Sequence, residues 1–199
     1  AKALMERARA QILEALGAQD CDLVFVSGAT EAAALACAGR GLHCAQIEHD
    51  AVAAWCIADL PTEPEGQVRA AVPGATALQS ANSETGILQS LPDGLAVTDL
   101  TQSFGKVPLA FSWTGAEIGL ISAHKIGGPK GIGALVMRRG RELQARIEGG
   151  GQEMGWRAGT ENLVGISGFA AAASAAQRDL NAGVWEQVAE FRNILEITL

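Results

Sequence analysis

What most restricts the fold of this chain is a series of short apolar runs without alternation: Leu23-Val24-Phe25-Val26, Ala45 to Ile47, Ala75 to Ser80, Leu95 to Thr98, Ile118 to Ser122 and Gly133 to Met137. A strand with one wet face alternates apolar and polar residues, whereas a run that stays apolar is dry on both faces. Helical patterns separate the runs. Ala3 to Leu16 sets Leu4, Ala8, Ile12, Leu13 and Leu16 on one face, with Gly17 as a stop, and Ala32 to Ala38, Ala170 to Ala176 and Trp185 to Leu199 also read as helices. Dry strands mixed with helices predict an α/β protein with a mostly parallel central sheet and helices on both faces. Pro61 to Pro73 is the most polar, Pro-containing stretch and reads as a surface loop.

Composition narrows the function classes. With 48% apolar and 19% charged residues over 199 positions, the chain can bury a sizeable core and is not disordered. Its 15 basic against 22 acidic residues give −7, which weighs against nucleic acid or an anionic membrane as partner. No apolar run reaches the ~20 residues of a membrane span, so a soluble protein is expected. Cys21, Cys37, Cys44 and Cys56 form no C-x-x-C pair and follow no secretory signal, which suits reduced thiols in the cytoplasm. The chain opens inside one helical pattern and stops inside another, so a fragment is expected.

Open α/β sheets place ligands beyond the carboxyl ends of their strands, so the residues leaving each run are the candidates. Ser27-Gly28-Ala29-Thr30 is a small-residue turn opening a helix, whose free N–H groups and positive dipole end suit a phosphate; an ordinary N-cap with Glu31 in the first turn is the plainer alternative. Asp99 and then Gln102 follow Leu95 to Thr98, and a carboxylate there caps the turn or holds a cation or protonated ring nitrogen. Ile118 to Ile121 leads into Ser122-Ala123-His124-Lys125, with Gly127-Gly128-Pro129-Lys130-Gly131-Ile132-Gly133 behind it. A lysine at a strand end among close-approach glycines suits an amine held beside a ligand, desolvated enough to form a Schiff base with an aldehyde. Gly149 to Asn162 is a Gly-rich loop of binding character. Neither glycine segment ends in Gly-Lys-Ser/Thr, which excludes a nucleotide P-loop. His43, Cys44 and His49 fit no common zinc spacing, and no metal is expected.

With these residues the sequence resembles the cysteine desulfurases, in the class V aminotransferase-like branch of fold type I enzymes that use pyridoxal 5′-phosphate (PLP). The resemblance runs in order through Phe25 to Glu31, Glu48-His49-Asp50-Ala51-Val52, Asn82 to Gly86, Asp99-Leu100-Thr101-Gln102 through Pro108, Ser122 through Gly133, and the glycine loop to Thr160. It implies that Lys125 holds PLP as a Schiff base and shuttles the substrate proton, that Asp99 pairs with the pyridinium nitrogen, and that Gln102 bonds the ring's phenolic oxygen. His49 would stack on the ring and act in proton transfer. Ala29, Thr30, Ser122 and His124 would form the phosphate site. Ser83 stands where the family has Asn near the phenolic oxygen. Thr160 would reach the phosphate of a neighbouring subunit, making a homodimer the expected state.

The activity so implied is conversion of L-cysteine to L-alanine, with the sulfur leaving as a persulfide for a sulfur-acceptor protein in iron–sulfur cluster or related sulfur metabolism. The family's nucleophilic Cys lies on a Ser/Gly-rich mobile loop, and none of the four cysteines has such a context. Residues 1–180 would be the PLP-binding large domain lacking its opening segment, and residues 181–199 a helix leading toward a small domain that carries that Cys and a substrate-binding arginine. The fragment by itself is expected to be inactive. Selenocysteine lyase, another class V lyase or aminotransferase, and a non-catalytic scaffold paralogue remain alternatives at this point.

Overall fold

In a computed structural model of the chain, which describes residues 1–70 and 72–198, the elements run α1 (Lys2–Ala15), β1 (Cys21–Val26), α2 (Ala29–Cys37), β2 (His43–Ala45), α3 (Asp50–Ala53), β3 (Ile57–Leu60), β4 (Ala77–Gln79), β5 (Val97–Asp99), β6 (Ile118–Ser122), β7 (Gly133–Arg138), α4 (Leu163–Asn181) and α5 (Val184–Thr198). The main sheet has the order β1-β7-β6-β5-β4. β4, β5 and β6 pair in parallel, while β7 is antiparallel to both β6 and β1. Four of these strands therefore point one way and β7 alone runs back, so the sheet is mixed and mostly parallel, as the dry runs predict. β2 and β3 form a parallel pair beside it, tied on by a parallel bridge between His43 and Thr76.

The missing alternation has a direct cause, because both faces of the sheet are covered. Leu23 and Phe25 of β1 and Val136 of β7 point toward Ile12 and Leu16 on one side, with Ile166 and Phe169 of α4 in the same cluster. Val24, Val26, Leu135 and Met137 point to the other side, toward Leu35 and Ala36 of α2 and Val52 of α3. Burying such side chains is worth roughly 1.5–3 kcal/mol each relative to exposure, which fixes the register of every strand.

The observed elements differ from expectation in particular ways. Leu4, placed on the buried face of α1, is 38% exposed, and the buried stripe starts at Ala8. β3 and the single turn α3 were not predicted. The β3 run Ile57-Ala58-Asp59-Leu60 has no buried residue, so it carries no pattern to read. Within the expected loop from Pro61 to Pro73, Val68 is buried and Thr62 bridges to Val68. The small helix patterns at Ala32 and Ala170 extend to nine and nineteen residues. No helix among the described residues is long and apolar enough to cross a membrane.

Because β1, β4, β5 and β6 share a direction, their carboxyl ends lie on one edge, joined there by the start of β7. A Cβ at Gly133 would meet Gly28 Cα and the Ile121 carbonyl oxygen, each at 2.7 Å, so only glycine lets β7 start pressed against the turn before α2. The Gly-rich loop is held from the far side: Glu153, 5% exposed, accepts Arg9 of α1 and the backbone N–H of Phe25 at 2.7 Å.

Candidate active site

The turn from β1 into α2 builds the first wall. Gly28 caps α2 without any side-chain hydrogen bond to the helix N–H groups, so the first turn of a nine-residue helix opens on the cavity beside Ala29 and Thr30. Glu31 turns away from that space: its Oε2 accepts the Ser27 N–H at 2.8 Å, and its Oε1 accepts Arg157 Nε at 2.8 Å. Burial alone would raise the Glu31 carboxyl, but Arg157 and the Ser27 N–H outweigh it and hold it below its ordinary value. The plain N-cap alternative thus accounts for Glu31 and leaves the helix N-terminus available to an anion.

β6 delivers the second wall. Ser122 ends the strand, and Ala123–Ile126 form one 3₁₀ turn that stops at Gly127 (φ +80°), a left-handed conformation suited to glycine. The turn puts His124 Nδ1 2.8 Å from Ser122 Oγ and leaves Lys125 exposed on the cavity without an ion-pair partner among the described residues. The sequence suggested a desolvated lysine, whereas this chain's own packing leaves the amine open to solvent. Burial, then the positive charges of Lys125 and Lys130, lower the pKa of His124, which favours a neutral ring donating through one nitrogen.

β5 supplies the floor. Asp99 Oδ1 accepts the Thr101 N–H at 2.8 Å. Burial raises the Asp99 carboxyl above its ordinary value, opposed by that hydrogen bond and by the charges of His49 and Lys125. Such a carboxylate is stabilised by any cation brought to it. Gln102, on the turn after β5, also lines the cavity. His49 caps α3: its Nδ1 accepts the Ala51 N–H at 3.1 Å, so the neutral ring carries its proton on Nε2.

These walls enclose one cavity of about 540 Å³, open on one side. Ala29, Thr30, His49, Ser83, Asp99, Gln102, Ser122, His124 and Lys125 all line it. Thr160 does not: it is exposed and borders a separate space of about 120 Å³ with Glu153 and Arg157. Ser83 gives its hydroxyl to Glu84 Oε1 at 3.1 Å. None of the four cysteines lines the cavity. Burial pushes the Cys21 thiol up to about 11, and contact with Cys37 pushes Cys56 up to about 12, so neither is a ready nucleophile.

Sequence reasoning left four contributors without a role. Lys130 and Gly131 of the Gly-Pro-Lys-Gly segment line the cavity, and Lys106 donates to Gln102. Glu48, beside His49, is 6% exposed; its Oε1 accepts the Gln79 N–H at 2.8 Å, and its Oε2 has no partner. Burial pushes its carboxyl up to about 8, with Asp99 adding to the effect. Its place before His49 in the matched block was the available signal.

A cavity where strand ends bring together an anion cup, a half-satisfied carboxylate and an unpaired primary amine defines the ligand-binding domain of an α/β enzyme. The family model of class-V aminotransferases matches residues 73–199, well over half of the chain, and the chain belongs to that family. It is similar to a cysteine desulfurase of Cereibacter sphaeroides, 38% identical over 88% of this chain and 54% of the relative. Among solved structures it is similar to a NifS-like protein from Rickettsia africae, with a TM-score of 0.81 and 28% identity over 90% of this chain and 59% of that one. It is also similar to SspA in complex with cysteine, with a TM-score of 0.76 and 29% identity over 86% of this chain and 60% of that one. The chain spans about half the length of the curated relatives it matches.

Proposed function

We propose that this chain is the cofactor-binding part of a PLP-dependent cysteine desulfurase, which converts L-cysteine to L-alanine and passes the sulfur to an acceptor protein for iron–sulfur cluster or related sulfur metabolism. The observation that carries this is the gathering of His49, Asp99, Gln102, Ser122, His124 and Lys125 around one cavity. The residues fit PLP at each end. The helix N-terminus with Thr30, Ser122 and His124 suits a phosphate, and Asp99, with one backbone N–H for a partner at Oδ1, suits a ring N–H cation.

Bound through Lys125, PLP supplies an electron sink for bond breaking next to the substrate's amino nitrogen. Lys125 Nζ would hold the cofactor and would then carry the proton between substrate atoms. Asp99 would keep positive charge at the ring nitrogen, Gln102 would donate to the ring oxygen, and His49, whose Nδ1 accepts the Ala51 N–H, would have Nε2–H for stacking and proton transfer. That none of the four cysteines lines the cavity, three of them being buried, supports reading the nucleophilic Cys as none of these four.

We also infer a homodimer in which Thr160 reaches the partner's phosphate site, supported by its exposure and by its place outside the lining of its own cavity. Helix α5 has no buried residue among those described and exposes Val188, Phe191, Ile194 and Leu195. This supports reading residues 1–180 as the PLP-binding domain and 181–199 as the arm toward a second one. Four cysteines without a disulfide are in keeping with the cytoplasm. The test is turnover of L-cysteine by the full-length protein with PLP: alanine and sulfide form together, and Lys125→Ala abolishes both.

A further inference from the structure

Between β5 and the next strand the chain makes a tight turn, with Phe104 N–H donating to Leu100 O at 2.9 Å and Lys106 N–H to Ser103 O at 3.0 Å. This brings residues 102 and 106 onto one side, and Lys106 Nζ donates to Gln102 Oε1 at 2.8 Å. An ammonium has three donors and no acceptor, so the carboxamide must show it the oxygen. The other end of the amide, Nε2 with two N–H groups, is then left for the cavity that Gln102 lines. Without such a partner the two ends of a carboxamide are nearly alike in shape, and nothing selects donor over acceptor.

We propose that Lys106 is a positioning residue, which fixes Gln102 with its N–H groups toward the anionic ring oxygen of the cofactor and adds its own positive charge behind that hydrogen bond. Lys106 does not line the cavity, so it acts through Gln102 and not by touching the ligand. No carboxylate pairs with it among the described residues, which leaves its charge unneutralised. The charged group that faces it is Lys125, which, after burial, lowers its pKa. The inference rests on reading the cavity as a PLP site.

The experiment is a pH titration of the visible absorbance of the full-length, PLP-loaded protein, together with PLP affinity. Removing a positive charge near the titrating centre makes protonation easier, so Lys106→Met raises the midpoint by roughly one pH unit and weakens PLP binding about tenfold. Lys106→Arg, also donor-only, keeps both near the unaltered values. In a Gln102→Ala background the added Lys106→Met shifts the midpoint by less than half as much. Lys106→Gln repeats the measurement should Met disturb the fold. A midpoint and affinity unmoved by Lys106→Met, or moved equally in the Gln102→Ala background, overturn the inference alone. No visible band in the unaltered protein overturns the PLP reading and the inference with it.

Discussion

Arg9 and Glu153 meet in a two-pronged ion pair, with Nη2 to Oε1 at 2.9 Å and Nη1 to Oε2 at 3.0 Å, that ties the first helix to the Gly-rich loop 144 residues later. The Arg9 guanidinium also lies 4.8 Å from the centre of the Phe25 ring. The pair holds a loop whose backbone is unusual: Glu153 and Met154 both have positive φ, 46° and 59°. Removing the partner of a carboxylate whose side chain is 1% exposed leaves a buried charge. Arg9→Met should therefore cost about 3–5 kcal/mol in urea unfolding, and Arg9→Met combined with Glu153→Met should recover part of it.

Glu48 makes the stability of the fold depend on pH. Its carboxyl is raised to about 8 in the folded state, above its ordinary value of 4.5, so the folded chain keeps a proton that the unfolded chain has released. Stability is therefore highest below about pH 4.5 with respect to this group and falls as pH rises toward 8. Glu48→Gln keeps an acceptor for the Gln79 N–H and removes the titration. The variant should gain on the unaltered protein by on the order of 3 kcal/mol between pH 5 and pH 8 in paired denaturation curves.

Gly133 is required by its neighbours' backbone. Gly133→Ala places a methyl 2.7 Å from Gly28 Cα and the Ile121 carbonyl, neither of which can turn aside as a side chain can. The expected loss is about 1–3 kcal/mol in thermal or urea unfolding, together with weaker PLP binding, because the displaced Gly28 turn is the wall proposed to hold the phosphate.

Glu31 couples that wall to the Gly-rich loop through Ser27 and Arg157. Glu31→Ala frees both partners while leaving the helix N-terminus intact. The expected outcome is a stability loss of about 1 kcal/mol, measured by urea unfolding, and proteolytic cleavage in the loop from Gly149 to Thr160 at a protease dose that spares the unaltered chain.

What could be read from the sequence depended on how each segment is buried. β6 is found where the apolar run Ile118 to Ser122 predicts it, because both its faces are dry. β3 is missed because Ile57 and Asp59 are both exposed at the outer pair, where no burial pattern is written into the residues. The reversed direction of β7 is equally silent, since Gly133 to Met137 is apolar whichever way it runs. Leu4 matched the helical face and is still exposed, because the packing of α1 begins a turn later. For the site, strand exits and the matched blocks located Asp99, Gln102, Ser122, His124 and Lys125 in one cavity. Lys106 was hidden because its role depends on a turn that stacks it against Gln102.

Borohydride reduction of the PLP-loaded full-length protein, followed by peptide mass spectrometry, tests most directly whether Lys125 holds PLP at the edge of this sheet. The expected result is a single pyridoxyl-phosphate adduct on Lys125, lost in Lys125→Ala. An adduct that persists in Lys125→Ala on another lysine such as Lys106 or Lys130, or no adduct in the unaltered protein, would contradict it.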